Sequence, residues 1–147
     1  MDPRVDQLRE DIVLFNRRIR TTNSAHHLTP TQLQALGHID RLGPLSAREL
    51  ADVEMVAPQT IARTVAFLAE HDLVSREADP ADGRAVLVSV SPAGRRMLEE
   101  DRGKRSNWLS EVMDERCTTV EKELLFLAGD LLRRLAKAEA SPASDQR

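Results

Sequence analysis

Residues 46–68 read SARELADVEMVAPQTIARTVAFL, and this stretch contains two helix starts in close succession. Ser46 and Glu49 have the capping-box spacing, in which each side chain accepts a hydrogen bond from the other residue's backbone N–H. Pro58 marks the second start, because the first turn of a helix has no use for the N–H that proline lacks. A short helix followed within a few residues by another helix is typical of a helix-turn-helix.

A β-hairpin is predicted directly after the second helix. Residues 73–76 read LVSR and residues 86–90 read VLVSV, which are short, valine-rich strand patterns. Residues 79–84 between them read DPADGR, and an Asp-Gly pair favours a tight turn. Arg84 is therefore expected at the hairpin tip, where the hairpin adds a wing to the helix-turn-helix. The predicted fold class is mainly α with a small β-hairpin wing.

The first and last predicted helices carry narrow apolar stripes. Apolar residues at steps of three and four predict one long first helix. Thr29 with Gln32 is a capping box that opens the second helix, and Thr118 with Glu121 is one that opens the last. Narrow stripes of this kind are typical of helices that pair with a partner helix. Along the first helix the stripe consists of Val5, Leu8, Ile12, Phe15 and Ile19.

The helix that starts at Pro58 has one face suited to reading DNA. Its apolar spacing predicts a buried side, which leaves Gln59, Thr60 and Arg63 exposed near the N-terminus. Glutamine can pair with adenine, arginine with guanine, and threonine can offer a hydroxyl or a methyl group. Arg84 suits a narrow minor groove, where negative potential is concentrated. The residues expected inside are Ile61, Val65 and Leu68 here, and Leu50 and Val53 in the preceding short helix.

Composition favours a soluble, globular protein of about one domain, and the sequence gives no support for an enzyme. The 147 residues carry 21 basic and 24 acidic side chains, a net charge of −3, which disfavours sequence-blind DNA binding. The longest apolar stretch, residues 124–128, is too short to cross a membrane, and the acidic N-terminus does not resemble a secretory signal. We find no Ser-His-Asp set, glycine-rich phosphate loop or metal motif. We therefore expect a cytoplasmic protein without cofactor, metal or catalytic residues.

Four stretches of the sequence, residues 57–68, 72–76, 79–84 and 88–94, resemble the MarR (multiple antibiotic resistance regulator) family. The resemblance extends from the first helix to about Lys137. It implies a homodimer that clasps a palindromic double-stranded operator and usually represses a gene. It also implies a small anionic or phenolic effector that binds between the dimer body and the DNA-binding lobe and loosens the grip on DNA.

The family pattern carries over to individual residues. By resemblance, the recognition helix presents Pro58, Gln59, Thr60 and Arg63, and the wing tip presents Arg84. Asp82 matches a family acid that commonly steadies the wing arginine. The chain departs from the pattern at Asp72, usually glycine, and at Ala62, where threonine or serine is frequent. The second departure makes the base preference harder to infer.

The expected organisation is one winged helix-turn-helix domain over residues 1–137. Residues 1–28 and 92–137 would form the dimerisation helices, and residues 29–91 the DNA-binding lobe. Residues 138–147 are expected to be a disordered tail.

Several features admit a second interpretation. A winged helix can also serve as a protein-interaction module that does not bind DNA, which the acidic net charge favours. His38 is a candidate for lining an effector pocket. Adjacent His26 and His27 lack the further ligands of a metal site, and Cys117 is expected to be a silent thiol rather than a redox sensor.

Overall fold

In the part of the chain that the structure describes, six helices and three strands follow one another in the order that the sequence predicts, with one strand added. The structure, a computed structural model, describes residues 1–22 and 28–138, so residues 139–147 of the predicted tail lie outside it. The elements are α1 (Pro3–Thr21), α2 (Pro30–Leu42), β1 (Leu45–Ser46), α3 (Ala47–Glu54), α4 (Pro58–Glu70), β2 (Val74–Ala78), β3 (Val86–Val90), α5 (Pro92–Arg116) and α6 (Thr119–Ala136). Residues 1–107 form one unit and residues 108–147 another.

The helix starts are fixed by the side chains that the sequence indicated. The hydroxyl of Thr29 accepts from the N–H of Gln32 at 3.2 Å, and the amide of Gln32 accepts from the N–H of Thr29 at 3.0 Å. All three predicted capping boxes are confirmed in this way, at α2, α3 and α6. Each cap satisfies N–H groups that a helix cannot satisfy internally, which contributes about 1 kcal/mol to stability.

The core of the first unit joins α2, α3 and α4 to the sheet. Its largest fully buried side chains include Leu36, Ile61, Leu68 and Val88. Ile61, Val65 and Leu68 are all buried, as predicted. Burying these side chains removes most of the apolar surface of α4 from water, at about 25 cal/mol per Å². Because this face is buried, the opposite face of α4 points to solvent.

The short helix α3 turns a different face inward from the one predicted. Leu50 is buried, but Val53 is 43% exposed, so the expectation that Val53 lies inside was wrong. The buried positions are Leu50 and Ala51. With 100° between successive residues, the centre of that face lies close to Glu54 and far from Val53. A carboxylate at the end of α3 therefore lies on its inward side.

A third strand was missed by the sequence analysis. The sheet has the order β1–β3–β2 and is antiparallel, with Val74 opposite Val90 and Leu45 opposite Val88. The strand β1 has two residues, which is too short for an alternating pattern to be visible. The predicted hairpin thus supplies two of the three strands, and its second strand, β3, is the central one, with Val88 buried.

The two terminal helices carry exposed apolar surface. Neither α1 nor α6 has a buried residue. The predicted stripe of α1 is largely exposed, with Leu8 at 54% and Phe15 at 46%. On α6 the exposed apolar residues are Val120, Leu124, Leu125, Phe126, Leu127, Leu131, Leu132 and Leu135.

A single glycine allows α5 to start directly on the sheet. A Cβ atom at Gly94 would lie 2.1 Å from the carbonyl oxygen of Leu73 and 3.0 Å from a methyl group of Val90. Gly103, also in α5, has open space around it. The first glycine is therefore required by close approach of backbone, whereas the second is not.

We expect Gly94→Ala to lower the free energy of unfolding by about 1–3 kcal/mol, because the added methyl group forces backbone apart. Gly103→Ala is the matched control and should raise it by about 0.5–1 kcal/mol, as alanine favours a helix. Urea unfolding followed by circular dichroism measures both. Equal stability of the two variants would contradict the close approach at Gly94.

Candidate nucleic-acid interface

A tight turn joins α3 to α4. Met55 adopts a left-handed conformation with φ of 56°, and the N–H of Val56 donates to the carbonyl of Ala51 at 3.2 Å. The chain reverses over residues 55–57 and α4 begins at Pro58. The predicted helix-turn-helix is confirmed, although its left-handed residue is a methionine and not the glycine that this conformation favours.

The exposed face of α4 carries the residues that the sequence singled out. Pro58, Gln59, Thr60 and Arg63 are all exposed, and so is Ala62. Thr64 lies on the buried side, where its hydroxyl donates to the carbonyl of Thr60 at 3.1 Å. The predicted contact residues therefore occupy one solvent-facing surface at the N-terminal end of the helix.

The N-terminus of α4 has no side-chain cap. In the described ranges every other helix is capped by an oxygen, from Asp2, Thr29, Ser46, Ser91 or Thr118. The position before α4 is Ala57, and the first turn contains no acidic residue. Pro58 has no N–H, and the N–H groups of Thr60 and Ile61 donate to the carbonyl of Ala57 at 3.0 and 3.3 Å. The positive end of the helix dipole therefore faces outward without a carboxylate on it, an arrangement that favours a phosphate or another anion.

The wing tip is held by two aspartates acting on backbone. One Asp82 carboxylate oxygen accepts from the N–H of Arg84 at 3.1 Å, and Asp79 accepts from the N–H of Ala81 at 2.9 Å. The N–H of Asp79 closes the loop by donating to the carbonyl of Ala85 at 2.9 Å. Arg84 itself is exposed. Asp82 thus supports Arg84 through its backbone and leaves the guanidinium facing solvent.

A cavity of about 280 Å³ lies within the first unit, between α1, α2 and the first half of α5. Arginines dominate its charged lining: Arg20, Arg41, Arg102 and Arg105, against the carboxylate of Asp101. Asp101 has a side chain only 4% exposed and pairs with the Arg105 Nε at 2.9 Å. Asp40, outside the lining, pairs with Arg102 at 3.2 Å. Among the described residues, Arg20 and Arg41 are therefore the lining arginines without an ion pair, and they suit an anionic molecule.

His38 is placed against α3. Its Nδ1 atom pairs with the carboxylate of Glu54, and their side chains are 20% and 5% exposed respectively. Gln34, Gly37 and Arg41 of the same helix line the cavity. His38 itself is not one of the residues that line the cavity, and its ring contacts Glu54 instead.

The remaining candidates add no site to the described part of the chain. His26 and His27 lie outside the described residues. Within residues 1–22 and 28–138, no three His, Cys, Asp or Glu side chains group closely enough to hold a metal ion. Cys117 is a free, half-buried thiol. No helix in these ranges is both long and apolar enough to cross a membrane.

Known proteins share this sequence and geometry. The sequence model of the MarR family matches residues 28–86. An HTH-type transcriptional regulator of Mycobacterium bovis is 34% identical over 134 residues, which cover 89% of this chain and 90% of the relative. The chain belongs to the MarR family.

Solved structures extend the likeness to the whole fold. A structure from Pseudomonas aeruginosa PA01, described as a transcriptional regulator, is 35% identical, with 92% of this chain and 94% of its own covered and a TM-score of 0.82. A MepR mutant of S. aureus, solved with a bound oligodeoxyribonucleotide, is 14% identical at a TM-score of 0.66, with 92% and 97% covered, and shares the fold. This MarR family protein is a transcriptional regulator with a winged helix-turn-helix, and not an enzyme.

Two features of this MarR family chain had escaped the sequence analysis. Glu54 was not considered, although its position four residues after Leu50 puts it on the same helix face. The proximity of Arg20 to α2 carried no sequence signal, because contacts between distant segments leave no periodic pattern. Both residues form side-chain hydrogen bonds with Gln34 of α2.

We expect Asp82→Ala to loosen the wing tip of this MarR family protein, because the N–H of Arg84 loses its acceptor. Amide exchange at Arg84, measured by NMR, should speed up by about tenfold, the equivalent of roughly 1.4 kcal/mol. Asp82→Asn is the control, since its amide oxygen can still accept and should preserve most of the protection. Unchanged exchange in the alanine variant would contradict the assigned hydrogen bond.

Proposed function

We propose that the protein is a homodimeric repressor that binds a palindromic DNA operator and releases it when a small anionic or phenolic molecule binds. The single observation that carries the DNA-binding part is the uncapped N-terminus of α4 surrounded by exposed Gln59, Thr60 and Arg63. An acidic protein that leaves the start of α4 without both a capping side chain and a carboxylate has a local surface suited to DNA, whatever its net charge.

In the proposed complex, α4 contacts the major groove of DNA and the wing contacts the minor groove. In the major groove, Gln59 pairs with an adenine edge and Arg63 with a guanine edge, while Thr60 contacts a base or its methyl group. Pro58 and the positive end of the α4 dipole approach a phosphate. Arg84, with its backbone held by Asp82, enters the neighbouring minor groove. Residues 29–91 are then the DNA-binding lobe.

Exposed apolar surface supports the homodimer. An 18-residue helix, α6, has no buried residue although leucines and a phenylalanine line it. The stripe of α1 is exposed in the same way. Apolar surface of this extent is typical of an interface, and a second copy of the chain supplies a matching one. Residues 1–28 and 92–137 are then the dimerisation helices of one domain over residues 1–137, and two recognition helices can engage a two-fold symmetric site.

The arginine-lined cavity supports control by an anion. A carboxylate or phenolate that enters this cavity can accept charge-assisted hydrogen bonds from Arg20 and Arg41. The proposed location is the cytoplasm, where the regulator can bind both bacterial DNA and small metabolites.

We expect Arg63→Ala and Arg84→Ala each to weaken operator binding by about 5- to 150-fold, the equivalent of 1–3 kcal/mol for a lost base contact. Fluorescence anisotropy with the inverted repeat flanking the gene, whose half-sites should lie about 10 base pairs apart, measures the loss. Arg116→Ala, an exposed arginine at the end of α5, is the matched control. Gln59→Ala should change the preferred sequence in a selection from random duplexes.

The same measurement separates DNA binding from the alternative function. A protein-interaction module would show no duplex affinity, or affinity that ignores salt, whereas phosphate contacts make affinity fall steeply as salt rises. The acidic net charge of −3 is the observation that favours this alternative. Wild-type affinity in the double variant Arg63→Ala, Arg84→Ala would refute the proposed interface.

We expect 2-hydroxybenzoate, which is both anionic and phenolic, to weaken operator binding in a concentration-dependent manner. Arg41→Ala should reduce the ratio of affinities without and with this probe by about tenfold, since a charge-assisted bond contributes roughly 1.5 kcal/mol or more. Arg116→Ala should keep the wild-type ratio. An unchanged ratio in Arg41→Ala would place the effector elsewhere.

A further inference from the structure

Four side chains from three helices form a continuous series of hydrogen bonds. The Arg20 guanidinium on α1 donates to the Gln34 amide oxygen on α2 at 2.9 Å, and the Gln34 amide nitrogen donates to Glu54 on α3 at 3.0 Å. The second oxygen of Glu54 pairs with Nδ1 of His38 on α2. We call this series, Arg20–Gln34–Glu54–His38, the relay. All four residues lie in the first unit.

The carboxylate of Glu54 depends on the relay for its stability. Its side chain is 5% exposed, so it has lost most of its hydration. Glu54 is also the last residue of α3, whose final turn contains no basic residue, so the negative end of the helix dipole opposes its charge. Gln34 and His38 offset both costs. Removing a partner would therefore displace the end of α3.

The hydrogen-bond donors and acceptors of the relay can be arranged in one order only. Arginine has donors and no acceptor, and a carboxylate has acceptors and no donor. The amide of Gln34 must therefore turn its oxygen to Arg20 and its nitrogen to Glu54. A molecule that takes the guanidinium of Arg20 for itself leaves the amide oxygen without a donor. The orientation of Gln34, and with it the hold on Glu54, is then weakened.

The two ends of the relay lie at functionally different places. Arg20 and Gln34 both line the arginine-rich cavity. Glu54 directly precedes Met55, the left-handed residue of the turn into α4. A shift of Glu54 therefore acts on the turn that sets the direction of the α4 N-terminus.

We propose that Gln34 and Glu54 are positioning residues, which hold the turn of the helix-turn-helix in place and convey occupation of the cavity to α4. This inference rests on the proposed function, since it takes α4 to be the element that reads DNA and the cavity to be the site of the effector. The hold of the relay on the turn does not depend on DNA and can be tested without it.

An exchange of the two side chains tests the relay most directly. Gln34→Glu places two carboxylates against each other, whereas Glu54→Gln removes the charge. Together they restore every donor and acceptor: the new carboxylate at 34 accepts from Arg20 and from the new amide at 54, whose oxygen accepts from His38. Rescue by the double variant is a result that loss of packing alone would not give.

Amide exchange at Val56, measured by NMR in the absence of DNA and ligand, reports on the turn. Gln34→Glu should speed this exchange by about tenfold or more, and the double variant should return it to within about threefold of wild type. Gln7→Glu is the matched control, because Gln7 donates to Asp11 at 3.0 Å in a similar pair on an exposed face. It should leave Val56 unchanged.

Arg20→Met tests transmission from the cavity end and removes only an exposed side chain. It should speed exchange at Val56 by about threefold and weaken operator binding by a similar factor. Unchanged exchange at Val56 in this variant, or a double variant no better than Gln34→Glu alone, would overturn the relay. If Gln34→Glu does not fold, recovery of a folded, wild-type-like turn in the double variant supports the pairing, and continued failure overturns it.

The relay and the proposed function fail in different ways. Exchange at Val56 that follows the expected order supports the relay even where wild-type protein binds no duplex from a random library, a result that would remove the proposed function. Operator binding by wild type together with unresponsive exchange at Val56 would leave the proposed function intact and remove the relay.

Discussion

The packing of one face of α4 against the core is the constraint on which the rest of the molecule depends. Ile61, Val65 and Leu68 are buried with side chains from α2, α3 and the sheet. Because a helix has two opposite sides, burial of these residues exposes Gln59 and Arg63 without any further device. The hairpin follows α4 closely in the chain, so the same packing also determines where the wing begins. The direction of the exposed polar side chains of α4 thus depends on the hydrophobic burial of its opposite face.

Much of this arrangement could be predicted because it is written in local patterns. Capping boxes at Thr29, Ser46 and Thr118 mark helix starts through hydrogen bonds between residues three apart, and such bonds need no knowledge of the fold. The apolar spacing of α4 likewise identified its buried side. The exposed residues of the candidate interface followed directly from that pattern.

The features that escaped prediction depend on contacts between distant segments. The strand β1 exists because Leu45 lies opposite Val88, a pairing that two residues cannot announce by periodicity. The inward face of α3 was misjudged because Val53 is apolar and Glu54 is charged, so hydropathy favoured the wrong one. Glu54 is tolerated inside only because Gln34 and His38 approach it from α2. A buried charge with partners from another helix cannot be recognised from its own segment.

Both ends of α4 are bordered by a residue other than glycine in the left-handed conformation, Met55 before it and Asp72 after it. This conformation excludes β-branched side chains on steric grounds, so valine, isoleucine and threonine are barred from both positions during evolution. Amino-acid substitutions at the exposed positions of α4, between Met55 and Asp72, are not restricted in this way. Substitutions can therefore accumulate at the outward residues of α4 while the geometry of its two junctions is kept.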